Sequence, residues 1–148
     1  MSNWIKNFIF IIVLSFFLNF SANAKEIYLN CERDRLISQL TNGKVEVDKG
    51  LPMESIYKLN TTKKKIFKFH GYINDFIDIS DYNLKWKKEV ITWSHYAKKL
   101  SEDDSAFTTY STLNRLNLEL LQSTVYESHK HFKKLDEYFK CEIINKKI

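Results

Sequence analysis

Two cysteines, Cys31 and Cys141, are the only ones in this chain of 148 residues, and they stand far apart in it. A bond between them would join the first and last elements of a fold and close a loop of about 110 residues. The chain-entropy argument gives such a loop roughly 4.7 kcal/mol as an upper figure and about 2–4 kcal/mol as a typical one. Two isolated cysteines lack the paired spacing of a zinc site. A disulfide or two buried thiols remain, and the compartment decides between them, because disulfides persist where the surroundings are oxidising.

The compartment is written at the start of the chain. Lys6 is the one charge before Phe8, and Phe8 to Phe20 is apolar apart from Ser15 and Asn19. Ser21-Ala22-Asn23-Ala24 then sets alanines two apart, ahead of Lys25-Glu26. A basic start, an apolar run and an Ala-x-Ala end predict a secretory signal peptide over residues 1–24, cleaved after Ala24. As a helix the apolar run spans about 20 Å, short of the roughly 30 Å hydrocarbon core, which weighs against an uncleaved anchor. Tyr28-Leu29-Asn30 ahead of Cys31 also differs from the Leu-Ala-Gly type of sequence that precedes a lipid-modified cysteine. The expected address is the periplasm or the exterior, with Cys31 and Cys141 paired as a disulfide. Residues 25–148 then form a single domain, long enough for one real core and too short for two.

Alternation sets the fold class. Ile27, Leu29 and Cys31 share one face of a strand, Val45 and Val47 another, and Tyr82, Leu84 and Trp86 a third. Thr41-Asn42-Gly43-Lys44 predicts a hairpin through a type I′ turn. Ile56–Leu59, Lys63–Phe69, Tyr72–Ile79, Val90–Trp93, Phe107–Ser111, Leu113–Leu120 and Tyr138–Ile143 read as further strands rich in β-branched and aromatic residues. Glu32–Leu40 extends the first strand or forms a helical turn. Ala97–Ser105 and Glu127–Lys134 are the places for a loop or a short helix. Short strands at regular spacing predict a mainly β fold: an antiparallel meander forming a small barrel or a curled sheet, with at most one or two short helices.

Constellations that carry chemistry are few. His129 and His131 would point the same way from a strand but lack a third ligand nearby, so a solvated tract is the expectation and no metal is expected. Asp75, Asp78 and Asp81 recur every third residue without the glycine and distal glutamate of a calcium loop. His70 and His95 stand alone beside aromatics. The chain has no Gly-x-Ser-x-Gly elbow and no phosphate-cradling glycine loop, so neither an enzyme nor a bound cofactor is expected. Lys63–Phe69 and Lys85–Lys88 interleave lysine with aromatics, as single-strand nucleic-acid binders do. Alternation here predicts aromatics inward and lysines in water, and export removes nucleic acid as a partner. The formal net charge of +5, from 23 Lys and Arg against 18 Asp and Glu, names no partner.

Thr112-Leu113-Asn114-Arg115-Leu116-Asn117-Leu118-Glu119-Leu120, with Trp86 and Trp93 upstream and Tyr138-x-x-Cys141 near the end, resembles small exported proteins of unknown function from alphaproteobacteria. Those proteins often carry an Asn-Arg-x-x-Leu strand followed by a terminal cysteine. The resemblance implies an exported β domain and no particular activity. The expected function is therefore non-enzymatic: binding of an envelope component or protein partner, through exposed strand faces bearing Trp86, Trp93 and Arg115. The alternative is a carrier of a small apolar ligand inside a lipocalin-like barrel.

Overall fold

A computed structural model describes residues 26–49, 51–80, 82–98 and 105–145; the signal peptide expected over residues 1–24, Asp81 and the acidic Glu102-Asp103-Asp104 lie outside the described residues. The described elements are all strands: β1 (Glu26–Leu40), β2 (Val45–Asp48), β3 (Glu54–Asn60), β4 (Lys65–His70), β5 (Asp75–Asp78), β6 (Lys85–Trp86), β7 (Val90–Ala97), β8 (Phe107–Asn114), β9 (Glu119–Tyr126) and β10 (Phe132–Ile144). They form one antiparallel sheet in the order β5-β4-β3-β1-β10-β9-β8-β7-β6, with β2 paired to the far half of β1. This is the mainly β meander that the alternation predicts.

The sheet curls into a half-barrel. Tyr57 on β3 and Trp93 on β7 are five strand spacings apart along the sheet, which would be about 24 Å if the sheet were flat. Their ring centroids lie 5.9 Å apart, so the two flanks face each other across a concave side. The open edges, β5 and β6, are linked by the connector after Asp78. Its Ile79 amide donates to the Ile66 carbonyl on β4, and its Tyr82 carbonyl accepts from Ser94 on β7.

The first and last strands pair at the centre of the sheet rather than closing a barrel at its edges. Cys31 and Cys141 stand directly opposite and are disulfide-bonded, with Cα atoms 3.9 Å apart. The Cys141 amide points the other way, to the Leu118 carbonyl. The cysteines thus occupy a non-hydrogen-bonded pair, the position where opposing strands approach most closely. Around them the concave face packs Leu29, Leu59, Ile66, Ile79, Ile91, Leu113, Leu120 and Phe139 into the core. Burying each such side chain stabilises by about 1.5–3 kcal/mol. A bulge at Asp34 resets the alternation of β1, so that Arg33 and Leu36 both lie on the concave side while Arg35 turns outward onto Tyr138.

Several expectations are corrected at turns. In the turn after β1 only Gly43 takes a positive φ, 84°. The Gly43 amide returns to the Leu40 carbonyl, and the Leu40 amide bonds the Lys44 carbonyl. That is a three-residue loop ending in a left-handed glycine, not the two-residue type I′ turn. Leu113–Leu120 is not a continuous strand: residues 115–118 are a turn, with Leu118 at φ 56°. The Asn114 carboxamide oxygen accepts from the amides of Leu116 and Asn117, which folds the chain back there and leaves Leu116 exposed. Tyr72–Asn74 is likewise turn, and β5 keeps only four residues. Phe132, Leu135 and Phe139 have helical spacing but lie on β10. In β4 the faces are reversed from the expectation: Ile66 opposes Leu59 on the core side, so Phe67 and Phe69 turn outward and Lys68 turns in.

Candidate functional site

The core fills one end of the concave side. Beyond it the same face opens into a cavity of about 420 Å³. Its lining comes from both flanks of the half-barrel: Tyr57, Lys68, His70 and Ile77 from one, Trp93, His95, Thr109 and Ser111 from the other. Gln122, Thr124 and Glu137 form the floor between them. Pairing register explains the gathering. Tyr57 opposes Lys68, which opposes Ile77, while Trp93 opposes Ser111, which opposes Gln122, which opposes Glu137. Directly opposed residues share a face, so each row runs along the concave side.

Apolar and polar groups are segregated within the cavity. Tyr57 and Trp93 are buried with tilted rings, and Ile77 and Ile79 adjoin the opening. The Tyr82 ring packs on His95 at 4.6 Å. The polar floor is knitted together. Gln122 Nε2 donates to the Tyr57 hydroxyl at 3.3 Å and to Ser111 Oγ at 3.2 Å, and the hydroxyls of Thr109 and Thr124 are 2.9 Å apart. Arg33 donates to Glu137 Oε1 at 2.6 Å. It also donates to the Leu51 carbonyl of the connector that leads from β2 to β3.

Glu137 is the electrostatic centre of this face. Burial pushes the Tyr57 hydroxyl up to about 12, and the nearby Glu137 carboxylate adds to the rise. Lys68 stays accessible at the cavity, but the protein around it lowers its pKa, with Glu137 acting in the opposite direction. Its Nζ lies 5.9 Å from the Tyr57 ring centroid. No ion pair joins Lys68 to a carboxylate among the described residues.

The sequence-derived candidates divide. Trp93 is not on an exposed face: it is 6 % exposed and forms a wall of the cavity. Trp86 packs against the other end of the core, and the Arg115 guanidinium lies 5.6 Å above its ring while donating to the Lys88 carbonyl at 2.8 Å. Trp86 and Arg115 are therefore together, at the end of the sheet away from the cavity. His129 Nδ1 accepts from the amides of His131 and Phe132, which commits that nitrogen to the loop before β10. Asp75 and Asp78 face opposite sides of β5. Asp78 pairs with Lys65 at 2.6 Å and accepts from the Ser80 amide. Burial works to raise its pKa, and these bonds outweigh it, bringing the carboxyl down to about 2. Among the described residues no group of three His, Cys, Asp or Glu could hold a metal ion, and no helix is long and apolar enough to cross a membrane.

Sequence reasoning places Lys68 on a solvated face with the other lysines of Lys63–Phe69, passes over Gln122 and Glu137, and reads His70 and His95 as ordinary strand residues. The one local signal was the run of small hydroxyls in β8 and β9, where Thr109, Ser111 and Thr124 occupy inward positions that a filled core would give to larger side chains. Comparison with known protein families, curated proteins and solved structures finds no match to this chain.

Proposed function

We propose that this is a non-enzymatic binding domain whose site is the concave cavity, and that its ligand is a small molecule with an apolar body and a polar end. The carrying observation is the cavity itself, about 420 Å³ on the concave side of the half-barrel, lined from both flanks and walled in part by the packed rings of Tyr57 and Trp93. Ligand sites are concave, largely apolar and oriented by a few polar groups, and this arrangement supports that reading. The polar groups are bonded to one another, Gln122 to Tyr57 and Ser111, and Arg33 to Glu137. Such a network fixes a shape for holding a molecule. The disulfide supports an exported address, the periplasm or the exterior, since such bonds persist under oxidising conditions.

Native mass spectrometry of protein recovered from the periplasm of an expressing bacterium tests the reading. The expected result is a bound small molecule that survives gentle desolvation and is lost in Trp93→Ala. A bare protein, with no small molecule bound from a periplasmic extract, overturns it. The second reading, contact with an envelope component or a protein partner, draws on the outward aromatics Tyr28, Phe67, Phe69 and Phe76. Phe76 packs edge-on to Tyr28 and Phe69, at 5.8 and 5.4 Å. A partner retained by Trp93→Ala and lost in Phe67→Ser would favour it.

A further inference from the structure

Two charged side chains line the cavity, Lys68 and Glu137, and Glu137 is already paired with Arg33, which is not part of the lining. Glu137 is engaged by Arg33 at 2.6 Å, in a pair whose side chains are 9 % and 18 % exposed. That pair is closed on itself, with Arg33 also bound to the Leu51 carbonyl. Lys68 projects from β4 into the same space, facing Tyr57 and Ile77; Glu137 acts on it through space, but no described carboxylate forms an ion pair with it. His70 and His95 add imidazoles on either side. Asp75, opposite His70 at the sheet edge, binds the Phe76 amide and does not line the cavity. The cavity therefore carries an excess positive charge beside an aromatic wall.

We infer that the ligand is an amphipathic monoanion, of the carboxylate class, with its charged group on Lys68 and its apolar body against the cavity wall that Trp93, Tyr57 and Ile77 form. This deepens the proposed binding function and rests on it. Lys68 Nζ lies 5.9 Å from the Tyr57 ring centroid, so an anion paired with it lies within reach of the ring. Apolar groups adjoin that point: Ile77 directly across from Lys68, Ile79 in the same lining, and Trp93 packed on Tyr57. Burial by the surrounding protein lowers the Lys68 pKa while Glu137 raises it, and a carboxylate bound at the ammonium adds a second favourable charge contact. The Thr109 and Thr124 hydroxyls and Gln122 offer hydrogen bonds to a second polar group.

The test compares decanoate with decanol, which share a chain and differ in the head, by isothermal titration calorimetry on the purified protein. Decanoate should bind about tenfold or more tightly than decanol, as expected for a charge-assisted contact. Lys68→Met should erase the difference, and Lys68→Arg should keep most of it. Trp93→Ala should weaken both ligands alike. Equal binding of decanoate and decanol overturns the anion inference while leaving the cavity as a binding site. Binding of neither overturns the inference together with the function on which it rests. A preference for decanoate that survives Lys68→Met places the anion elsewhere and also overturns the assignment.

Discussion

Arg33 and Glu137 show how much one pair carries on this face. With side chains 9 % and 18 % exposed, neither has water enough to replace a lost partner. Removing one member of such a pair costs about 3–5 kcal/mol, whereas replacing both with apolar groups of similar volume is often neutral. Arg33→Met should therefore lower unfolding stability by about 3 kcal/mol, and Arg33→Met with Glu137→Leu should recover most of that. Urea denaturation measures both. Tyr57 gives a second residue-scale expectation. Burial raises its hydroxyl from 10.0 to about 12, so the folded protein holds this proton more tightly than the unfolded chain. The sign follows: its contribution to stability is present below pH 10 and is lost as pH rises towards 12. An alkaline absorbance titration should show late tyrosine ionisation, to which Tyr126, also raised by burial, contributes, and Tyr57→Phe should remove the step near 12. A titration unchanged in Tyr57→Phe would assign the late proton to another residue.

At the scale of elements, the turns decide where strands stop. Gly43 holds a φ of 84° with nothing within 4 Å of where a Cβ would stand. Gly43→Ala therefore meets only backbone strain, about 1–2 kcal/mol, visible as a lower melting temperature with no new clash. Asn114→Ala should cost about 1 kcal/mol by releasing the amides of Leu116 and Asn117. This turn also explains what the sequence could and could not disclose. Strands such as β7 and β10 were legible because Ile91 and Trp93, or Phe139 and Cys141, recur every second residue and fill one face. Leu116, Leu118 and Leu120 show the same period, yet only Leu120 is in the core. Hydropathy outweighed the Asn114 and Asn117 side chains that bend the chain there. Reading β4 inverted has a related cause. Phe67 and Phe69 are larger than Ile66, but Ile66 faces Leu59 across the strand pair, while the outward Phe69 packs on Phe76 and the Lys58 ammonium lies over Phe67. The disulfide was legible from two cysteines and an amino-terminal stretch that reads as an export signal. The cavity was not, because Lys68, Trp93 and Glu137 meet only through the order of strands in the sheet.

The order of strands places the two ends of the chain side by side at the centre of the sheet, where β1 meets β10 over twelve registered pairs. Both flanks hang from this seam: β3, β4 and β5 on one side, and β9, β8, β7 and β6 on the other. Each flank is a chain of local hairpins and forms with short loops. The seam is the longest-range pairing among the described strands, bringing together residues 110 apart, and closing that loop is the large entropic step in folding. The Cys31–Cys141 bond lies on the seam, so in the oxidised protein this step is made before folding begins. Replacing both cysteines by serine should therefore act mainly on the folding rate, slowing it by about tenfold or more, while unfolding changes less. Equilibrium stability should fall by about 2–5 kcal/mol. Stopped-flow refolding of the oxidised protein and of the double variant separates the two rates. If the loss appears in unfolding instead, the flanks assemble before the ends meet, and the seam is the last part of the half-barrel to form.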